Sequence, residues 1–211
     1  MGTFAADFYL ESLKPMNSYY DAFEQHGWVE IKNFLSKEES LLIRTELTNI
    51  QQKAGFKQAG IGKHAHQHVN TQQRGDFIHW INPKDAAQAT SAFLLKIEEV
   101  FATLNYRFFL GIRDYECHYA HYPPGTFYKK HVDRHSAGSA RRVSFVFYLN
   151  HNWQAIDGGE LRIYDSQGNY GSILPEMGTL ALFLSELEHE VITTKRDRMS
   201  ITGWMLNEII L

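Results

Sequence analysis

Four residues in the second half of the chain have the types and spacing for metal chemistry. His131 and Asp133 stand two apart, His189 follows, and Arg198 comes nine residues later. Two imidazoles and one carboxylate fill one face of an octahedral metal and leave three positions open, the arrangement with which non-haem Fe(II) activates oxygen. An arginine just past the second histidine suits a dicarboxylate co-substrate held against the same metal, because a guanidinium grips a carboxylate through two parallel hydrogen bonds. Alone, the His-x-Asp tripeptide is weak: with 11 histidines and 9 aspartates in the chain, chance supplies about half an occurrence.

Strand phase strengthens the reading. In extended backbone, residues two apart leave the same face, so His131 and Asp133 point together. Arg198, Ser200, Thr202 and Trp204 share one face of the closing strand, while Met199, Ile201 and Met205 share the other. An arginine turned into a barrel is costly unless it meets a carboxylate. Both histidines must be neutral to bind metal, so their second nitrogens are expected to donate to fixed partners. Glu188 and Glu190 flank His189 but alternate away from it. His135 and His151 rival His189 as third ligand, yet neither precedes an arginine in a period-two strand. The cluster His64, His66 and His68 reads as a solvated loop rather than a second metal site, lacking a carboxylate or cysteine to complete it. His118 and His121 read as sheet residues.

The elements that must position these residues follow from pattern. A short helix is expected over 16–26, ending at Gly27, then a strand over 28–31. Ser36 and Glu39 form a capping box opening a helix with Leu41, Leu42, Thr45 and Leu47 near helical spacing, ending near Gly55. Residues 56–73 are expected as a long loop or hairpin finger, 76–81 as a strand, and 85–104 as a helix with Ala89, Phe93, Ile97, Val100, Phe101 and Leu104 on one stripe. Eight short strands are then expected near 112–122, 126–131, 142–150, 160–164, 170–174, 179–184, 189–194 and 198–207. That regular series, broken by turns such as Asp157-Gly158-Gly159, indicates a jelly roll, with the helices covering one sheet from outside.

Composition bounds the rest. The chain has 211 residues, a net charge of −3 and one cysteine, Cys117. These point to one domain over 1–211, with helical support over about 16–104 and a β core over about 106–207. They argue against nucleic acid as a partner and against a disulfide framework, and favour a reducing cytoplasm. No apolar run is long enough for a transmembrane helix. The start, MGTFAADFYLESLK, lacks the pattern of a secretory signal, and Ala6 stands where myristoylation favours Ser or Thr. A monomer with no membrane partner is expected.

The motifs extend beyond the metal set. Arg74-Gly75-Asp76-Phe77-Ile78-His79-Trp80-Ile81, Tyr122-Pro123-Pro124-Gly125, Tyr128-Lys129-Lys130-His131-Val132-Asp133, Tyr148-Leu149-Asn150, Gly158-Gly159-Glu160-Leu161-Arg162-Ile163 and Arg198 through Trp204 occur in order. This series resembles the prolyl hydroxylase branch of the Fe(II)/2-oxoglutarate oxygenases, above all the hypoxia-factor prolyl hydroxylases and their bacterial relatives, over roughly residues 20–207. The resemblance implies a double-stranded β-helix core. It implies Fe(II) on His131, Asp133 and His189, with 2-oxoglutarate and O2 as co-substrates and ascorbate as reductant. Arg198 would pair with the distal carboxylate of 2-oxoglutarate, aided by the hydroxyls of Tyr148 and Thr202, with Tyr122, Tyr128 and Leu161 lining the pocket. Asp76 and Arg141 would pair an acid with a base across the substrate entrance, with Trp204 near a target proline in a protein or peptide. The stretch from Asp133 to Tyr148 departs from the animal relatives by one extra residue, and the finger is histidine-rich. Two alternatives stay open: hydroxylation of a free amino acid or other small molecule, and a cupin-like barrel that binds metal and ligand without turnover.

Overall fold

The computed structural model describes residues 18–53, 55–60, 69–134 and 138–209. The expected finger lies partly outside these residues, including His64, His66 and His68, as do His135 and the expected start of the first helix.

Residues 18–26 form helix α1, which stops at Gly27, where φ is +73°. Strand β1 (Trp28–Ile31) follows. Helix α2 (Lys37–Gln52) opens on the expected capping box, with Ser36 and Glu39 satisfying each other's backbone N–H groups. Its buried face is Ser40, Ile43 and Leu47, while Leu42 is 61% exposed and Leu41 39%. The expected stripe through Leu41 and Leu42 is thus one turn-face off, because the residues three and four apart that meet the core are Ser40, Ile43 and Leu47. Helix α3 (Gln88–Phe108) starts after a 3-10 turn at Pro83–Asp85 and runs past residue 104. Phe109 ends it in the left-handed region, while the Asn105 side chain ties back Ile112 through both its N–H and C=O. Its stripe of Phe93, Ile97, Val100 and Leu104 is buried as expected.

Short strands β2 (Lys57–Gln58) and β3 (Phe77–Trp80) precede α3. All eight expected strands of the second half form: β4 (Asp114–Tyr122), β5 (Tyr128–His131), β6 (Arg141–Tyr148), β7 (Leu161–Tyr164), β8 (Tyr170–Ile173), β9 (Leu180–Leu184), β10 (His189–Val191) and β11 (Arg198–Leu206). β10 is shorter than expected because the chain beyond Val191 bonds elsewhere: Ile192 N–H to Glu160 O and Thr194 N–H to Thr126 O.

The strands make two antiparallel sheets, one of seven in the order β1-β9-β6-β11-β4-β3-β2 and one of four in the order β5-β10-β7-β8. Alternation divides the large sheet's side chains. Val143, Phe145, Phe147, Leu180, Leu182, Met199, Ile201 and Met205 pack outward beneath the helices, with Phe93 stacked on Phe147 at 4.9 Å. Ala120, Tyr122, Val146, Tyr148, Ala181 and Phe183 face inward and pack with Leu161, Ile163, Ile173 and Val191 of the small sheet. The two sheets enclose a second core between them, as in the double-stranded β-helix, and the functional side chains lie inside it. Among the described residues no helix is long and apolar enough to cross a membrane.

Candidate metal centre and co-substrate pocket

His131 ends β5 and His189 opens β10, and the two stand directly opposite in the ladder. Asp133 lies two residues beyond His131, where its own N–H and that of Arg134 both donate to Ser185 O, at 3.1 and 2.9 Å. One ligand atom from each of the three side chains lies within 4.8 Å of the others. His131 Nδ1 sits 2.7 Å from Lys129 O, and His189 Nδ1 sits 3.0 Å from Leu187 O. A carbonyl oxygen only accepts, so both Nδ1 atoms carry a proton, and in the neutral tautomer this leaves Nε2 as the nitrogen that could bind a metal. Those Nε2 atoms face Asp133, at 3.8 Å from Oδ1 and 3.4 Å from Oδ2.

Burial, with His189 alongside, pushes His131 well below the usual imidazole range. Burial works the other way on Asp133, but His189, His131 and the Ser144 hydroxyl outweigh it and hold the carboxyl below its ordinary value. Ser144 donates to Asp133 Oδ2 at 2.7 Å. A hydroxyl has one proton, so the 2.9 Å contact between Ser144 and Ser185 must be a donation from Ser185. Tyr128 stacks on the His131 ring at 3.6 Å and Phe183 packs on His189 at 4.6 Å, fixing both planes.

Arg198 opens β11 opposite Tyr122 and is only 1% exposed. Its Nε donates to Gly159 O at 2.8 Å. That approach needs glycine: at φ +70° a Cβ on Gly159 would stand 3.2 Å from Arg198 Cδ, and one on Gly158 would stand 2.3 Å from Thr193 O. The guanidinium lies 5.0 Å from the Tyr122 ring and 5.1 Å from the Tyr148 ring. Among the described residues Arg198 forms no salt bridge, and its guanidinium is the polar group beside the buried Tyr148 hydroxyl. A buried cation without an acid partner among the described residues is what a carboxylate would satisfy. The residues present therefore fit both groups: His131, Asp133 and His189 would hold Fe(II), and Arg198 would hold a carboxylate of 2-oxoglutarate, with Tyr148 packed behind it.

A cavity of about 730 Å³ joins these parts. His131, Asp133, His189, Arg198, Thr202, Tyr122, Tyr128 and Leu161 line it, and Arg141 and Trp204 stand on its wall. Tyr148 and Asp76 do not line it: Tyr148 lies behind, against Arg198, and Asp76 is fully buried. The expected pairing of Asp76 with Arg141 is corrected. Arg74 holds both Asp76 oxygens, with Nε at 2.7 Å from Oδ1 and its Nη2 at 2.5 Å from Oδ2, while Arg141 pairs with Glu116 at 2.7 Å and lies 3.5 Å from the Trp204 ring centre. The two-residue spacing puts Arg74 within direct reach of Asp76, and cross-strand proximity gives Arg141 to Glu116.

Sequence reasoning missed Ser144, Arg74 and His118. Ser144 shares its strand face with Val146 and Tyr148, so alternation carried a signal for it. Arg74 lies 4.3 Å over the Tyr128 ring, and its place in the Arg-Gly-Asp run was the available sign. His118 is opposite Thr202 on the inner face and lines the cavity.

Comparison with known proteins agrees with this geometry. The pattern of the 2OG-Fe(II) oxygenase superfamily matches residues 117–206. Human Egl nine homolog 1 is 30% identical over 194 residues, 85% of this chain and 44% of that one. The chain spans 44% to 62% of the first curated relatives it matches. Among solved structures, a Pseudomonas putida prolyl-4-hydroxylase shares 35% identity with a TM-score of 0.82, covering 90% of this chain and 98% of that one. A prolyl hydroxylase from Trichoplax adhaerens, solved with a hypoxia inducible factor oxygen degradation domain peptide fragment, shares 27% identity with a TM-score of 0.85, covering 95% and 93%. A match at that identity across nearly the whole of a solved relative is more than a shared fold, and the chain belongs to the 2OG-Fe(II) oxygenase superfamily.

Proposed function

We propose that this protein is a 2-oxoglutarate-dependent dioxygenase that hydroxylates a prolyl residue of a protein or peptide. The observation that carries the reading is the junction, in one cavity, of His131, Asp133 and His189 with a buried Arg198 that has no acid partner among the described residues. The relatives named above, prolyl hydroxylases in two cases and one of them bound to a peptide, support the substrate class. When bound, Fe(II) with 2-oxoglutarate and O2 supplies oxidative decarboxylation to succinate and CO2 and delivers one oxygen atom to a substrate C–H.

The chain's own residues orient the reactants. Arg198 and Thr202 anchor the co-substrate, with Tyr148 backing Arg198, and Tyr122, Tyr128 and Leu161 shape the wall around it. Trp204 and Arg141 border the substrate entrance, and Asp76 acts there through Arg74. We read the chain as one catalytic domain of a monomeric, cytoplasmic protein, with ascorbate as reductant and no nucleic-acid partner. The test is anaerobic loading with Fe(II) and 2-oxoglutarate, admission of O2 with proline-containing peptides, and mass spectrometry for the gain of one oxygen alongside succinate. Turnover of free proline in preference to any peptide would replace the polypeptide reading with the small-molecule one.

A further inference from the structure

His118 is a buried histidine that neither the metal nor the co-substrate uses. It lies on β4, opposite Thr202 of β11 on one side and Trp80 of β3 on the other, so its side chain faces the cavity with theirs. It is 2% exposed, and its Nδ1 has no hydrogen-bond partner. The Trp80 ring lies 5.0 Å from its centre and the Trp204 ring 5.4 Å, while the two indoles are 6.2 Å apart. A polar ring clustered with two indoles, with a buried nitrogen unpaired, costs free energy, and a bound group that pairs it recovers that cost.

The neighbouring charges decide what that group is. Burial, with Arg74 and Arg141 nearby, drives His118 down to about 3, so the ring is neutral. Arg74 is committed to Asp76 and Arg141 to Glu116. A free amino acid would bring an ammonium and a carboxylate to a place whose nearby cations are already paired. A peptide brings an uncharged amide, which a neutral imidazole matches with one donor and one acceptor. Resting on the proposed prolyl hydroxylase reading, we infer that His118 is a specificity-determining residue that hydrogen-bonds a backbone amide beside the target proline.

The test uses the full chain and capped, proline-centred peptides, acetylated and amidated so that they carry no terminal charge. The variants are His118→Leu, which keeps bulk but no polar atom, and His118→Asn, which returns an amide near Nδ1. His118→Leu is expected to raise the peptide KM about tenfold, with kcat changed far less, since one paired neutral group is lost. Mn(II) and 2-oxoglutarate affinities, measured by calorimetry, should stay within about twofold, and His118→Asn should recover most of the KM. An unchanged peptide KM in His118→Leu overturns the inference while leaving the prolyl hydroxylase reading intact. Parallel losses of peptide, 2-oxoglutarate and Mn(II) affinity in both variants also overturn it, because they mark a packing role. Wild-type turnover of free proline with no capped peptide hydroxylated overturns the underlying reading instead.

Discussion

At the scale of single residues, the site depends on which atoms are left without partners. His131 and His189 each spend Nδ1 on a backbone carbonyl, which leaves Nε2 for a metal. His131→Ala or Asp133→Ala is expected to abolish stoichiometric Mn(II) binding in calorimetry, and retained tight binding in both would remove the assignment. Ser144 orients Asp133 from behind. Ser144→Ala should weaken metal affinity by about 10- to 100-fold, the usual cost of losing an outer hydrogen bond to a ligand. Arg198 combines an Nε bond to Gly159 with a buried guanidinium that meets no acid among the described residues. Arg198→Ala should raise the 2-oxoglutarate requirement at least about thirtyfold, as truncation of a buried charge partner does. Mn(II) affinity without co-substrate should change far less. An unaltered requirement would transfer the carboxylate to another cation, such as Lys195.

At the scale of elements, the outer helices support the large sheet without touching the chemistry. Phe93 of α3 is fully buried, stacks on Phe147 and meets Phe34 edge-on at 6.2 Å. Phe93→Ala should destabilise the fold by about 3–5 kcal/mol in denaturant titration, through lost burial and the cavity left behind. Mn(II) affinity of the folded variant should match wild type, because Phe147 faces outward and the ligands face inward. A large affinity loss in still-folded protein would mean that the helix layer controls the geometry of the site.

At the scale of the whole molecule, the chain builds two cores, one on each face of the large sheet, and Cys117 belongs to the outer one. Burial pushes its thiol up to about 12, so the native side chain stays protonated at pH 8 while an unfolded cysteine, near about 8.5, is partly thiolate. Alkylation at pH 8 should therefore be slow in native protein and follow the opening of the sheet–helix layer. The native state binds the proton more tightly, so this group's contribution to stability is present below about pH 8.5 and declines above it. Labelling of native protein at the rate of an unfolded peptide would contradict the placement of Cys117.

Much of the metal site was legible because it is written in local periodicity. The His131–Asp133 pair, the alternating face of Arg198, Thr202 and Trp204, and the eight strands of the second half follow from a two-residue period that survives folding unchanged. Capping at Ser36 and the stop at Gly27 are equally local, set by side-chain–backbone bonds and a positive φ within a few residues. Other features depend on which elements come to lie together. The face that α2 buries, the division of Asp76 and Arg141 between Arg74 and Glu116, the Ser144 bond to Asp133, and the burial of His118 against two indoles all join residues whose neighbours are chosen by packing. Which side chains share a strand face follows from residue order alone. Which of them meet across strands follows from packing, because a charged or polar group takes the nearest complementary atom the packed sheets present, and that distance is not encoded in any single segment.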